Sequence, residues 1–421
     1  MRPTGTREAA PYLLIVAAIL AAYANAFPGS FQFDDWNVIA NEPKVASLAA
    51  WWASMPGIRP LLKLSYAFNR EIGLGVPGFV AFNVLVHAAN AALVFAILKR
   101  LSTARTALLA ALLFALHPVQ TEAVTYVSGR STSLAAMFAL GSALAWMKGR
   151  RWLSPALFVL ALGVKEYVAV LPLALILIEP KRWREVKTHV AVLAAIAAVV
   201  LATPTYRHLL VTSLSARPPL DQVRTQIDAI LWLAGQVVRP DLLNADPMLP
   251  VRTSWDGVLV LKGVAIVGVL AAAWRWPALR FGVLWFFLWL LPTNSILPRL
   301  DVANDRQLYL PLVGVAFLIG KIPRSTWVVG ALCAALVFST HLRNRVYADE
   351  VVFWGDVARK SPENARAFHN LGYALALAGN NDAAKQAFEV ALALKPDDWK
   401  TAVNLKLLRE GALLPAPAGR R

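Results

Sequence analysis

The sequence has little charge and almost no cysteine. Asp, Glu, Lys and Arg make up only 16% of its 421 residues, whereas 58% of the residues are hydrophobic; soluble proteins carry about 25% charge. The single cysteine, Cys333, lies in an apolar run, which excludes an internal disulfide framework and a cysteine metal site. With a mean hydropathy of +0.53, the composition predicts a polytopic membrane protein.

Acidic residues are the scarcer charge, with 25 Asp and Glu against 42 Lys and Arg, for a net charge of +17. In a soluble protein this excess would suggest nucleic acid as a partner. Here the basic residues fall mostly in short loops between apolar runs, where they set membrane orientation. We therefore expect a membrane and no nucleic acid. The basic loops are "KRLSTAR" (99–105), "KGRR" (148–151), "KRWREVK" (181–187), "WRWPALR" (274–280) and "KIPR" (321–324).

Apolar runs predict an all-α protein with about eleven transmembrane helices. We interpret the N-terminal run as an uncleaved span, because "AYANAF" is a poor cleavage site for the alternative, a signal peptide. The segment 227–250 is expected to be interfacial or re-entrant. With the basic loops in the cytoplasm, the C-terminus lies outside, and we expect a bacterial inner membrane. The spans are about 11–27, 79–98, 106–116, 131–147, 152–164, 168–178, 189–203, 257–273, 279–291, 308–320 and 326–340.

Soluble character follows the last span. Within 364–400, Gly372, Ala384, Phe388 and Pro396 have the spacing of a tetratricopeptide repeat of 34 residues. One repeat is good and its neighbours are partial, so we expect a short helical hairpin that leans on the membrane domain or on a protein partner; a generic hairpin is the alternative. The predicted organisation is a membrane domain (1–345), a repeat segment (346–410) and a flexible tail (411–421).

Four polar stretches fall on the predicted extracytoplasmic side, and charged side chains near a bilayer normally line a cavity or pair with one another. Transfer of a sugar from a polyprenyl phosphate to a hydroxyl needs a carboxylate base and cations for the departing phosphate. The adjacent Asp34 and Asp35 are candidates for the base. The candidate phosphate ligands are Arg59, Arg130, Lys165 and Arg306.

The ordered motifs "FDDWNVIAN", "FNVLVHAANAALV", "HPVQTEAVTYVSGR", "KEYVAVLP" and "LPTNSILPRLDVANDRQLYLPLVG", followed by the repeat, resemble the transmembrane-and-tetratricopeptide-repeat protein O-mannosyltransferases and their bacterial relatives. The resemblance implies the C-type glycosyltransferase fold and an inverting enzyme that uses a polyprenyl-phosphate-linked, mannose-like sugar. It also implies an acceptor hydroxyl on protein Ser or Thr, and a set of site residues. The implied site residues are Asp34 and Asp35 as the base, with His117, Glu122, Arg130, Lys165, Glu166, Asp305 and Arg306.

Several alternatives stay open at this point. His117 alone reads as an interfacial structural histidine, and Glu122 either caps a short helix or orients the acceptor. We expect no cofactor, although Asp34, Asp35, His117 and Glu122 are suitable ligands for a divalent metal. The acceptor is a protein or an envelope glycan. The alternative function is a non-catalytic membrane anchor that presents the repeat hairpin to a partner; a transporter ranks last, because the charges cluster at one membrane face.

Overall fold

The computed structural model of the protein describes residues 5–55 and 57–412, with side chains from residue 8 onward. Helices make up the regular secondary structure of these residues, and no strand occurs among them, which confirms the all-α prediction for this part of the chain. From residue 413 on, the predicted tail lies outside the described residues. The α-helices are α1 (Gly5–Tyr23), α2 (Leu48–Ala53), α3 (Pro60–Ile72), α4 (Gly75–Leu101), α5 (Ala104–Leu116), α6 (Thr121–Val124), α7 (Arg130–Met147), α8 (Leu153–Val164), α9 (Leu171–Ile178), α10 (Lys187–Ala202), α11 (Pro204–Leu214), α12 (Pro219–Val238), α13 (Gly257–Arg275), α14 (Pro277–Leu290), α15 (Pro311–Gly320), α16 (Thr326–Val346), α17 (Glu350–Lys360), α18 (Ala365–Leu377), α19 (Asn381–Leu394) and α20 (Trp399–Arg409).

Short helical turns connect these elements and carry several of the polar motifs. A π-helical turn, Trp36–Ala40, follows the two adjacent aspartates. The remaining turns are 3-10 helices at Pro43–Val45, Pro118–Gln120, Val127–Gly129, Glu166–Val170, Pro180–Val186, Pro240–Leu242 and Asp305–Leu308.

Four of the described helices are long and apolar enough to cross a membrane, and α5 with Pro118–Val124, bent by 53°, forms a fifth candidate. The other apolar helices are shorter than a bilayer requires on their own. These observations support a membrane protein, whereas the count of eleven spans and the C-type glycosyltransferase fold stay predictions. The four are Gly75–Leu101, Pro180–Ala202, Gly257–Arg275 and Thr326–Val346; the shorter ones are Glu8–Tyr23, Leu153–Val164, Glu166–Ile178, Pro277–Leu290 and Pro311–Gly320.

The long apolar helices differ in burial. In the apolar stretch of α4, 56% of the residues are buried inside the protein, whereas the corresponding value for α13 is 11%. Val258, Leu261 and Val264 of α13 each expose more than half of their surface. Such a large apolar face is unfavourable in water and is suited to lipid, so α4 lies at the centre of the bundle and α13 at its periphery.

The basic loops gather at one end of the bundle. Arg100 and Arg182 both donate to carbonyl oxygens at the end of α7, those of Met147 (3.2 Å) and Trp146 (2.9 Å). Lys321, after α15, donates to the carbonyl oxygen of Ala278 at the start of α14 (3.0 Å). The loops that carry the acidic and mixed motifs connect the opposite ends of the same helices.

The predicted interfacial segment 227–250 contains the second half of α12, which ends at Val238, and an irregular chain after it. Helix α12 is not among the span candidates. Its buried glutamines hold the loop between α14 and α15: Gln222 donates to the carbonyl oxygen of Ser295 (2.9 Å), and Gln226 accepts from Asn294 (2.9 Å). The first half of α12, just before this segment, therefore supports a loop that carries two of the charged residues described below.

The C-terminal helices form a hairpin that is attached to the membrane domain. Phe388 of α19 is fully buried, and it lies so close to α18 that a Cβ on Gly372 would be 2.7 Å from its ring. Helix α17 contributes Trp354 to an aromatic cluster that also contains Tyr126 and Tyr347. The hairpin is present where the sequence predicts it; its assignment as a tetratricopeptide unit stays a prediction.

Candidate functional site

A polar cavity of about 330 Å³ lies at the end of the bundle opposite the basic loops. It is built from parts of the chain that are far apart in sequence. Asp34 comes from the loop after α1, Arg59 from the residue before α3, and Lys165 from the end of α8. The connection between α14 and α15 supplies Arg299 and Arg306. Glu42 and Lys63 line it as well, so the cavity collects two carboxylates and five cations from separate parts of the sequence.

Asp34 faces this cavity and is held by its backbone. The preceding residue, Phe33, has a φ of +40°, a left-handed conformation that a non-glycine residue adopts at a cost and that is common at functional sites. The Asp34 N–H donates to the phenol oxygen of Tyr126 (3.0 Å). Among the described residues, Asp34 has no ion pair within 4 Å. Burial raises the pKa of Asp34 above its usual value, although Arg306 opposes that rise.

Asp35 points away from the cavity. Its carboxylate accepts from two backbone N–H groups, those of Ser128 (2.7 Å) and Gln32 (3.0 Å). The side chain is fully buried, and burial raises the pKa of Asp35 to about 7 even though both hydrogen bonds favour the ionised form. Asp35 thus fastens the loop to the turn Val127–Gly129, and only its neighbour is open to a substrate.

Arg59 is paired with Glu166 at the edge of the cavity. Its Nη2 donates to Oε2 of Glu166 at 2.8 Å, and Nε donates to both carboxylate oxygens at 3.1 Å. Its backbone has a φ of +50°, and its N–H donates to the phenol oxygen of Tyr206 (3.1 Å). This bidentate pair holds the guanidinium in one orientation.

Two further cations of the cavity, Lys165 and Arg299, have no carboxylate within ion-pair distance among the described residues. Lys165 donates to the hydroxyl oxygens of Ser131 (3.1 Å) and Thr132 (2.9 Å). Burial, with the nearby Arg306, Arg59 and Arg299, holds the pKa of Lys165 well below its usual value. Burial, with Arg306 the largest of the nearby charges, lowers the pKa of Arg299 to about 10, and within the described ranges Arg299 forms no ion pair. Clustered cations that lower one another's pKa are stabilised when an anion binds between them, so this part of the cavity has the chemistry of an anion site.

A second, larger cavity of about 720 Å³ adjoins the first. Arg59, Lys165 and Arg299 line both cavities, so the cations form the boundary between them. The far wall of the second cavity is mostly apolar and includes Tyr167, Val170, Leu291, Ile296 and Leu297. The pair of cavities has the chemistry of a binding site for an amphiphile with an anionic head group.

Glu122 and Asp305 lie behind the polar cavity. Glu122 is buried, and it accepts the N–H of Arg306 (2.8 Å) and lies 3.6 Å from that residue's Nε. Asp305 accepts the N–H of Asn244 (3.0 Å) and lies 3.8 Å from Arg343. Burial and the charge of Glu122 raise the pKa of Asp305 well above its usual value. Both carboxylates orient the segment that carries Arg306.

His117 lies outside both cavities. Its Nδ1 accepts the N–H of Val119 (3.1 Å), and its Nε2 contacts the carbonyl oxygen of Val237 (2.9 Å). The side chain joins the 3-10 turn after α5 to the end of α12, as the structural alternative expects. No group of three or more His, Cys, Asp or Glu residues suited to a metal ion occurs among the residues that the structure describes.

Arg130 does not line the polar cavity. Its guanidinium is fully buried and donates to the side-chain oxygen of Asn83 (2.6 Å) and to the carbonyl oxygens of Ser65 (2.9 Å) and Phe79 (3.0 Å). The ring of Phe82 stacks against it at 4.3 Å. Its donors face protein acceptors, so this geometry argues against the predicted phosphate contact and gives Arg130 the task of joining α3, α4 and α7.

Arg299 and Tyr126 are site residues that sequence reasoning missed. Both lie within motifs that drew attention to other residues, and Arg299 stands seven positions before Arg306. The signal available for Arg299 was a second arginine in the same polar loop. Nothing in the local sequence indicates that the Tyr126 phenol reaches the backbone of Asp34.

Gly129 lets the turn Val127–Gly129, which holds Asp35, pack closely against the backbone of Glu122. A Cβ at this position would lie 2.0 Å from the carbonyl oxygen of Glu122. We expect Gly129→Ala to lower the free energy of unfolding by about 1–3 kcal/mol, measured as a lower Tm in detergent. Gly235→Ala is the control, because a Cβ there meets no atom within 4 Å. Equal Tm values for both variants would contradict this reading.

Comparison with characterised sequences places the site in context. No family model matches the chain. Human protein O-mannosyl-transferase TMTC4 is 33% identical over an alignment of 170 positions, which covers 33% of this chain and 23% of the relative. Human protein O-mannosyl-transferase TMTC3 is 22% identical over an alignment of 492 positions including gaps, which covers 93% of this chain and 52% of the relative. Protein O-mannosyl-transferase F38B6.6 of Caenorhabditis elegans is 22% identical over 91% of this chain and 62% of its own length. The chain thus spans less than two thirds of the length of these relatives.

Proposed function

We propose that this chain, which is similar to the protein O-mannosyl-transferases TMTC3 and TMTC4, is a membrane-embedded glycosyltransferase of their family. The proposed reaction moves a mannose-like sugar from a polyprenyl phosphate to a Ser or Thr hydroxyl of a protein. The observation that carries the proposal is the row of cations between a polar cavity and an apolar one. A polyprenyl-phosphate sugar has the matching order of groups: a polar sugar, an anionic phosphate and an apolar chain.

The donor is proposed to bind across both cavities. Its isoprenoid chain lies against the apolar wall, and its phosphate lies at Arg59, Lys165 and Arg299, which are common to the two cavities. Arg306 lines only the polar cavity and not the apolar one. In this proposal it therefore lies on the sugar side of the phosphate. Arginine suits this task because its planar fork matches a phosphate, and its charge persists where the pKa of a lysine falls.

Asp34 is the proposed base of a single displacement. The acceptor hydroxyl oxygen attacks the anomeric carbon of the sugar while Asp34 takes the hydroxyl proton. The bond between the anomeric carbon and the phosphate oxygen breaks, and its electron pair leaves with the phosphate, which the cations stabilise. The attack occurs on the face opposite the leaving group, so the anomeric configuration inverts. Glu42, another carboxylate of the polar cavity, is paired with Lys63 at 3.5 Å and is therefore less suited to the task.

We place this chemistry on the extracytoplasmic face of a bacterial inner membrane. The polar cavity lies at the end of the bundle away from the basic loops, and basic loops favour the cytoplasm. In this orientation the polyprenyl phosphate reaches the site through the outer leaflet, the acceptor arrives from water, and the C-terminal helices lie outside. The reaction uses no metal or cofactor in this proposal.

A transfer assay tests the proposal. The full chain is reconstituted in liposomes with a radiolabelled polyprenyl-phosphate sugar, first mannose, and is offered peptides rich in Ser and Thr together with envelope glycans. We expect label on the peptide hydroxyls, located by mass spectrometry. Label on a glycan alone would support the proposed lipid donor but would show that the acceptor is a glycan and not a protein. No transfer from any polyprenyl-phosphate sugar to any hydroxyl would overturn the proposal in favour of a non-catalytic anchor.

Arg299 offers a test of the phosphate site that leaves the base intact. We expect Arg299→Gln to raise the KM for the lipid donor by about tenfold, since one charge-assisted hydrogen bond contributes about 1.5 kcal/mol. Arg345→Gln is the matched control, because Arg345 is exposed and lies outside both cavities. An unchanged KM in Arg299→Gln, measured at saturating acceptor, would remove Arg299 from the donor site.

A further inference from the structure

The C-terminal helices contact the loop that carries Asp34. Trp354 of α17 meets the ring of Phe33 edge to face, with the ring centroids 5.2 Å apart and the planes at 89°. On the same ring, the guanidinium of Arg366 in α18 lies 5.5 Å from the centroid. Phe33 is the residue with a φ of +40°. Two side chains from beyond the last apolar helix therefore hold the strained residue immediately before the proposed base.

Hydrogen bonds and ion pairs on both sides of Phe33 extend the contact between the C-terminal segment and the membrane domain. The Ser30 hydroxyl donates to the carbonyl oxygen of Ala348 (3.1 Å), and the Trp36 indole donates to Glu350 (2.7 Å). Arg366 is paired with the buried Asp246 and lies 3.4 Å from Asp301. Asp246 and Asp301 both belong to loops of the membrane domain, so Arg366 joins the Asp34 loop, α18 and these loops in one arrangement.

We propose that the C-terminal segment is a positioning element of the active site, in which Trp354 and Arg366 fix Phe33 and thereby the place of the Asp34 carboxylate. This inference rests on the proposed function, because Asp34 matters only if it accepts a proton. It assigns to these helices a task within the reaction that is separate from any binding of a partner. Trp354 and Arg366 act through Phe33 and are positioning residues.

Two charged residues near Asp34 are expected to shift its pKa in opposite directions, which gives a test of the proposal. After burial, which raises the pKa of Asp34, the groups that act on it are Arg306, which lowers the pKa, Asp301, which raises it, and Arg366, which lowers it. The Tyr126 phenol also lowers the pKa of Asp34, and the charge of Asp34 in turn raises the pKa of the neighbouring, buried Asp35. Removal of the Arg366 charge is expected to raise the pKa of Asp34, and removal of the Asp301 charge is expected to lower it.

The experiment follows the protonation of Asp34 without depending on sugar transfer. Carbodiimides modify protonated carboxyl groups, so the pH midpoint of Asp34 modification, located by peptide mass spectrometry in the reconstituted full chain, reports its pKa. We expect the midpoint to rise by about 0.5 in Arg366→Gln and to fall by a similar amount in Asp301→Asn. Arg359→Gln, a charge change on an exposed side chain of α17, should leave the midpoint unchanged.

A second pair of variants separates positioning from stability. We expect Trp354→Ala to lower kcat about tenfold with the KM for the lipid donor unchanged, and Trp354→Phe to restore most of the loss because an aromatic ring again packs against Phe33. Midpoints that do not move in Arg366→Gln and Asp301→Asn, or that move in the same direction, would overturn the proposal, and so would an unchanged kcat in Trp354→Ala. If the wild-type chain transfers no sugar although the midpoints shift as expected, the proposed function fails, whereas the placement of Asp34 by these helices stands.

Discussion

Asp34→Asn is expected to reduce sugar transfer by about 10²–10⁴-fold, because an amide cannot take the proton of the acceptor hydroxyl in the transition state. The Tm and the KM for the lipid donor should stay near the wild-type values. Asp34 is only half-buried, and it lines the cavity without an ion pair within 4 Å among the residues described. The measurement is the initial rate of transfer from a saturating polyprenyl-phosphate sugar.

Asp35→Asn is the matched control, and it should fail in a different way. Both carboxylate oxygens of Asp35 accept hydrogen bonds from backbone N–H groups. In asparagine an NH2 group replaces one of these oxygens, so one backbone N–H would face another donor. An unsatisfied buried donor costs about 1–3 kcal/mol, so we expect a lower Tm. Wild-type transfer in Asp34→Asn, with the loss confined to Asp35→Asn, would reverse the roles that the geometry indicates for the two residues.

The pKa of Asp34 is expected to set the pH below which sugar transfer is lost. The reaction needs the carboxylate, so transfer is present above the pKa of Asp34 and is lost as the pH falls through it. Burial raises this pKa, so the loss should occur at a higher pH than for a solvent-exposed aspartate, whose pKa is about 3.9. The profile of kcat/KM for the acceptor in the wild-type chain reports this value for the free enzyme.

Arg130→Gln is expected to lower the free energy of unfolding by about 3 kcal/mol or more, the largest effect on stability among these variants. The change removes charge-assisted hydrogen bonds to Asn83, Ser65 and Phe79 in a fully buried place, and each such bond contributes about 1.5–3 kcal/mol. The measurements are the Tm and the yield of monodisperse protein in detergent.

Transfer per folded molecule distinguishes this structural role from the phosphate contact that the sequence predicts for Arg130. A donor ligand at this position would raise the KM for the polyprenyl-phosphate sugar while the Tm stayed unchanged. We expect the reverse: a lower Tm with the KM of the surviving molecules close to wild type. Arg130→Lys keeps the charge without the planar fork, so its Tm should lie between those of the wild type and Arg130→Gln.

The sequence by itself determined the helical character of the chain, the place of its C-terminal hairpin and the motifs that supply the site. These properties follow from hydropathy, helical periodicity and repeat spacing, which are local in the chain. It also indicated Asp34, Arg59, Lys165 and Arg306, because charged residues between apolar segments are costly and need partners. All four line the polar cavity.

Only the tertiary structure decided which member of each charged pair or motif meets the cavity. Asp34 and Asp35 cannot be distinguished in the sequence. The left-handed backbone at Phe33 and the N–H of Ser128, 93 residues after Asp35, turn the Asp35 carboxylate inward and leave that of Asp34 at the cavity. Arg130 donates to acceptors on α3 and α4, whereas Arg299, seven residues before Arg306, lines the cavity. The direction of a side chain depends on packing between distant segments, so no local pattern records it.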